Sequence, residues 1–228
     1  MRPVKENFDS GKMARYPRGM AVDPPRLRAP SPSPAEARPY HHGDLRAALL
    51  AAAEAELAER GMEGFSLRSV AKRAGVSHAA PAHHFGDVQG LLTALAAEGF
   101  RQFLAAQAAR EAVAENDPAS QLVAAGLGYV DFAIARPALF RLLWQSERPD
   151  FMDADLGQAA RAAYQHLVDQ VMATGGRSTA DEAAAWAVAH GLADLLASGR
   201  LQALGSLPVA ARDAMVAGII RRVLPAAD

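Results

Sequence analysis

The chain has 228 residues, half of them apolar and only 6% aromatic, and its net charge is −1. It contains no cysteine, which excludes a disulfide framework, a thiol sensor and a cysteine-based zinc site. There is no leading apolar segment of the signal-peptide kind, and no uncharged apolar run approaches the ~20 residues of a spanning helix, so a cytoplasmic protein with no membrane partner is expected.

The charge is unevenly spread. Residues 1–39 carry +4, residues 40–86 are neutral and hold five of the seven histidines, and the remainder carries −5. The first 39 residues are rich in Pro, Arg and Ser, as in P-R-L-R-A-P-S-P-S-P-A over 25–35. Closely spaced prolines exclude helix and ladder bonding, and too little apolar surface is present to offset the entropy of ordering. This stretch reads as a disordered basic arm whose Arg26, Arg28 and Arg38 can reach phosphates or a minor groove. A solvated tail, or a translation start at Met13 or Met20, is the alternative.

Residues 40–86 read as a three-helix head. Tyr40, His41, His42 and Gly43 lead into a first helix with Asp44 at its N-cap. The face from Leu45 through Ala48, Leu49 and Ala52 to Leu57 is apolar except for Glu56, and Gly61 stops it. Phe65 opens the next element and Ser66 caps it by accepting from an orphan N–H one turn in. Leu67, Val70, Ala71 and Ala74 then recur at helical spacing. Gly75 falls where a left-handed residue ends the helix, because glycine alone takes positive φ without steric cost. Val76 fills the turn, Ser77 caps a helix over 77–84, and Phe85 closes it with a large apolar anchor. This is the pattern of a helix-turn-helix, whose second helix enters the major groove of DNA.

Within that pattern His78, Ala79, Ala82 and His83 are free to face bases. Ser77 suits a phosphate at a helix start. Arg68 and Lys72, four apart on one face, suit the DNA backbone. Tyr40, His42 and Ser66 complete the candidate DNA-binding set.

The stretch from 40 to about 100 resembles the DNA-binding domain of the TetR family of bacterial transcriptional regulators. The resemblance rests on A-x-x-A-G-V-S (Ala71, Ala74, Gly75, Val76, Ser77) and on His83-His84-Phe85. The chain departs from the family at Ala82, where an aromatic is usual, and at Val88, where a lysine is common. Both positions often contact phosphate in the family, which leaves His42, His83 and the basic arm to compensate.

Residues 87–228 continue as helices: one to about 115, then 120–135, 138–144, 156–173 and 179–198, and a last one from Pro208 that ends before Pro225. Ser178 or Thr179 caps the fifth of these, with Asp181 and Glu182 favourably placed in its first turn. Gly126 and Gly128 inside a helix cost roughly 1 kcal/mol each relative to Ala and point to close packing or a cavity. No strand alternation survives. The fold class is therefore all-α, a three-helix helix-turn-helix DNA-binding domain followed by a helical-bundle ligand-binding and dimerisation domain.

The helix over 179–198 is apolar around nearly its whole circumference, so it must be buried on more than one side. The last helix has a similar excess. Two such helices from each of two chains build a four-helix homodimer interface, with Leu192, Leu195, Met215, Ile219 and Ile220 as its candidates. Regulators of the TetR kind dimerise in this way, and Trp186, His190 and Gly191 resemble the W-x-x-x-H-G segment of one C-terminal subclass.

A ligand cavity is expected between the helices of the body. Its candidate walls are Phe103, Tyr129, Phe132 and Phe140, joined by Trp144, Tyr164, Trp186 and His190. Other chemistry is sparse. His78 and His83 are five apart, not the i, i+4 placement that brings two ligands together, so no metal and no cofactor are expected. There is no G-x-S-x-G, phosphate-binding glycine loop or H-E-x-x-H, and Asp150, Asp153 and Asp155 read as solvated charges. The resulting expectation is a non-enzymatic, sequence-specific transcriptional regulator, a repressor released from operator DNA by an unknown small-molecule inducer. The alternatives are a helical metal-binding protein and a catalytic helical bundle.

Overall fold

The computed structural model describes residues 42–223, with side chains from Leu45 onward. The arm over 1–39, Tyr40 and the His42 side chain lie outside the described residues; α1 already begins at His42, so Asp44, expected as its N-cap, falls inside its first turn. Among the described residues there are ten helices and no strand: α1 His42–Arg60, α2 Leu67–Ala74, α3 Ala80–Phe85, α4 Val88–Glu111, α5 Pro118–Ala135, α6 Pro137–Trp144, α7 Ala154–Ala173, α8 Thr179–Ala197, α9 Gln202–Gly205 and α10 Val209–Arg221. None is by itself long and apolar enough to cross a membrane.

The ends of these helices follow from their side chains. The Asp87, Asp117, Asp153 and Ser178 side chains accept from backbone N–H groups of the first turns of α4, α5, α7 and α8. Asp153 is thus a cap, and Asp155 pairs with Arg101, so this acidic group is more than a solvated cluster. Pro137 forbids α5 from continuing, because it lacks an N–H and its ring clashes with the preceding turn. The chain bends by 111° there and sends α6 back across the body. The short α9 between α8 and α10 has no counterpart in the sequence reading.

α1 is held to α2 by charge as well as by apolar contact. Glu56 is 2% exposed within the apolar face of α1. Its carboxylate takes Arg60 Nε at 2.9 Å and Arg73 Nε at 2.8 Å, and Arg73 also pairs with Glu59. Burial pushes the Glu56 carboxyl up, but the Arg73 and Ser69 hydrogen bonds and the two arginine charges bring it below the usual range. Ala48, expected on this buried face, is exposed, and Leu50 takes its place in the core.

α4 runs through both halves of the molecule and packs on α1, α3, α5, α6 and α7. Leu91, Leu92 and Leu95 are fully buried beside the head helices, while Phe100 and Phe103 are buried in the body. Two glycines set the spacing of α5. A Cβ at Gly128 would lie 2.5 Å from Gln107 Cα and 2.6 Å from the Ala106 carbonyl oxygen, so α4 and α5 touch backbone to backbone. A Cβ at Gly126 would lie 2.5 Å from Ile220 Cδ1, so this glycine is the socket for α10. A shared ion network holds α10 in the same place: Arg110 pairs with Asp131 at 2.6 Å and with Asp213 at 2.8 Å, and Arg212 reaches both carboxylates.

The close crossing is testable. Gly128→Ala forces two backbones apart and is expected to cost about 1–3 kcal/mol, the usual penalty of overpacking. Gly205→Ala, whose Cβ would meet only Leu196 Cδ2 in ordinary contact at 3.8 Å, is expected to leave stability nearly unchanged. Chemical denaturation of the two variants checks this; equal stability would show that α4 and α5 can separate at little cost.

Candidate functional site

In the head, Ser66 and Ser69 form a reciprocal cap: Ser69 N–H donates to Ser66 Oγ at 3.1 Å and Ser66 N–H to Ser69 Oγ at 3.2 Å. Gly75 closes α2 at φ 69°, and the Val76 N–H reaches the Ala71 carbonyl at 3.1 Å. Arg68 and Lys72 project outward, exposed and without an ion pair among the described residues. Arg73 differs, since it is committed to Glu56 and Glu59.

The second helix of the motif is shorter than its sequence implies. α3 begins at Ala80, and Ser77 does not cap it. The reason is Pro81. A helix capped by Ser77 needs its first bond from the N–H of residue 81 to the Ser77 carbonyl, and proline has no N–H. The Ala80 N–H takes that carbonyl instead at 3.0 Å, and regular bonding starts with His83 N–H on the Ala79 carbonyl at 3.0 Å. Ser77, His78, Ala79, Ala82 and His83 are all exposed, while Pro81 is buried and Ala80 half-buried. They form one open ridge, with Phe85 tucked behind it beneath the Arg46 guanidinium at 5.4 Å.

The second site is an apolar cavity of about 260 Å³ enclosed by α4, α5, α6, α7 and α8, with Ile220 of α10 at its base. Phe103, Tyr129, Trp144, Tyr164 and Trp186 line it. Trp144 sits at the centre of the aromatic packing, stacked on Tyr129 at 5.3 Å and edge-on to Phe103 at 5.1 Å. Phe132 and Phe140, expected on the wall, are instead 1% exposed behind it, where they pack against Trp144. His190 also stands off the wall, stacked on Phe140 with its Nδ1 2.8 Å from the Tyr129 hydroxyl. Burial pushes the Tyr129 phenol up and the His190 imidazole down, the latter partly offset by Asp194.

Sequence reasoning passed over the polar part of this wall: Gln107, His166 and Gln170. His166 Nε2 and Gln170 Nε2 lie 2.8 and 2.9 Å from Glu111 Oε1. The Tyr164 hydroxyl donates to Glu182 at 2.7 Å, and that carboxylate pushes the phenol up. Phe151, in the turn before α7, reaches the wall while remaining 44% exposed. Its neighbour Asp150 donates its N–H to Thr93 Oγ1 of α4 at 2.9 Å.

Of the residues expected at a dimer interface, Leu195 and Met215 are exposed at 39% and 50%, and Ile219 is half-buried. Leu192 and Ile220 are buried in their own protomer. Leu192 turns inward with Ala189, Ala193 and Leu196, and Ile220 fills the Gly126 socket. An all-round apolar helix does not itself reveal which side faces its own core.

Two family models match this chain: bacterial regulatory proteins of the tetR family over residues 49–95, and the tetracyclin repressor-like C-terminal domain over residues 122–222. The HTH-type transcriptional regulator BetI of Burkholderia ambifaria is 34% identical over 110 residues, 47% of this chain and 57% of that regulator. The match thus spans little more than half of that relative's length. A solved protein of unknown function from Rhodococcus sp. RHA1 is 36% identical with a TM-score of 0.68, over 82% of this chain and 98% of that one. A tetR-family regulatory protein from the same source shares the fold at 22% identity and a TM-score of 0.62, over 81% and 98% of the two chains.

His190 gives a pH test. Its native imidazole is held below its ordinary value of 6.5, so below that pH the unfolded chain binds more protons than the native one. This contribution to stability is complete above about pH 7 and is lost as pH falls through the native value. The expected outcome is a melting temperature that falls more between pH 7.5 and 5 in wild type than in His190→Gln; parallel curves would refute it.

Proposed function

The chain belongs to the tetR family of bacterial regulatory proteins, and from that premise we propose that it is a cytoplasmic, homodimeric repressor that leaves its operator when a small molecule enters the body cavity. The support is a single juxtaposition: an open ridge of helix-turn-helix side chains and an apolar cavity between the body helices, both packed on α4. In the dimer the two ridges occupy successive major grooves, about 34–36 Å apart on one face of the duplex. A ligand that favours another spacing weakens DNA binding by the difference of its affinities for the two states.

Arg68 and Lys72, four apart on one face of α2, hold phosphates beside the groove, and His78, Ala79, Ala82 and His83 meet the bases. The remaining exposed apolar residues of α8 and α10, with the open glycines Gly191 and Gly218, form the face that a second copy covers. Selection of bound fragments from genomic DNA, followed by footprinting with the full chain, tests the reading. A short, two-fold symmetric protected site supports it, and uniform protection of all sequences overturns it.

Two variants separate the parts. Lys72→Ala is expected to weaken binding to all sequences alike and to reduce the slope of log affinity against log salt by about one, as loss of one phosphate contact does. An unchanged slope would place Lys72 off the DNA. Leu195→Glu and Met215→Glu are each expected to yield monomers in sedimentation at micromolar concentration, with operator affinity lost alongside. A dimer that survives both changes would put the interface elsewhere.

A further inference from the structure

One buried polar atom of the cavity wall is an acceptor without a partner. Gln107 is 6% exposed, and its Nε2 donates to the Ala125 carbonyl at 3.2 Å. That bond fixes the amide orientation, because a carbonyl can only accept, and it identifies the remaining atom as Oε1. Oε1 is buried with no hydrogen-bond partner. Gln170 spends an N–H on Glu111, and Tyr164 spends its hydroxyl proton on Glu182. Gln170 and Tyr164 thus each turn a donor toward the protein, while the Gln107 Oε1 acceptor is left over. A buried acceptor without a donor is costly enough to be rare in folded proteins.

Charge narrows the ligand further. No Lys, Arg, Asp or Glu lines the cavity. An anion would lose its hydration and meet only His166, which already faces Glu111, and the nearby carboxylates of Glu111 and Glu182 would repel it. A cation would meet no free carboxylate on the wall, since both are already bonded from behind. Size and shape come from the walls. A dry cavity of about 150 Å³ takes one benzene, so the space here takes about ten non-hydrogen atoms. Faces and edges of Phe103, Tyr129, Trp144 and Trp186 bound it, and these favour ring edges and faces over a flexible chain.

We propose that the cavity binds a flat, uncharged aromatic molecule of about two fused rings that carries one O–H or N–H donor, and that Gln107 Oε1 accepts from that donor. This rests on the reading of the cavity as the inducer site. The ring system lies among the aromatic walls, and Gln107 acts as a specificity residue that separates a donor-bearing molecule from one of the same shape without it.

The test uses the full chain and three probes with the same rings: 2-naphthol, 2-methoxynaphthalene, which lacks the donor, and 2-naphthoate, which is an anion. Affinities are read by calorimetry and by tryptophan fluorescence. The expected result is 2-naphthol bound about tenfold more tightly than its methyl ether, the effect of one net hydrogen bond to a buried acceptor, with 2-naphthoate weakest. In Gln107→Leu the ratio of naphthol to ether should fall to about one while ether binding persists. Gln107→Met serves if the leucine variant does not fold. Equal affinity of naphthol and ether in wild type, strongest binding of naphthoate, a ratio unchanged by either variant, or no binding of any probe each overturns the inference. Operator binding measured in parallel keeps the two readings apart. Naphthol bound with the operator complex undisturbed retains this ligand class and removes ligand-driven release. Release by another compound, with no naphthol binding, does the reverse.

Discussion

The contact between Gly128 and the backbone of α4 at Ala106 and Gln107 governs the rest of the body. With no Cβ in the way, α5 lies directly on α4, and Phe103, one turn before Gln107, meets Tyr129, next to Gly128, and Phe132, one turn after it. The same crossing sets Gln107 into the cavity wall and leaves Gly126 as the socket for Ile220. Because α4 also carries Leu91, Leu92 and Leu95 into the core beside α1 and α3, the crossing locates both functional regions relative to one rod. At 24 residues, α4 is about 36 Å long. Close-packed interiors deform by switching between packings more readily than by stretching, so a change at Gln107 is felt along this rod.

The helices were legible in the sequence where a local signal sufficed. Ser66, Gly75, Asp181 and the prolines at 118, 137 and 208 act within a turn of themselves, and the elements begin or end where those residues require. The start of α3 was misplaced because two local signals competed: Ser77 offers a cap, and Pro81 removes the bond that such a cap would begin. The buried Glu56 could be placed on the apolar face but its partners could not, since Arg73 lies 17 residues away and meets it only once α1 and α2 are packed.

The cavity was legible by its aromatic residues and not by its polar ones. Phe103, Tyr129 and Trp144 are conspicuous in a chain with few aromatics, yet periodicity could not separate wall from backing, and Phe132, Phe140 and His190 proved to be backing. Gln107 sits in an alanine-rich stretch, A-A-Q-A-A-R, where a polar residue reads as solvent-facing. Only the crossing at Gly128 turns it inward. A similar ambiguity affected α8 and α10, where an apolar residue on every side left the inward and outward faces indistinguishable until Leu192 and Ile220 were seen in the core.

The bond from Asp150 N–H to Thr93 Oγ1 ties the turn that carries Phe151 to the part of α4 nearest the head. Phe151 stands partly in solvent at the edge of the cavity, and an outward swing of that turn would strain this bond. The edge of the cavity at Phe151 and the footing of α4 therefore share one fastening. By thermodynamic reciprocity, whatever holds the DNA-bound arrangement of α4 alters the occupancy of the cavity by the same factor that the occupant alters DNA affinity. On the proposed reading, the equilibrium affinity of the cavity for its ligand would then differ between operator-bound and free protein, and the Thr93 hydroxyl would be one of the groups that set the difference.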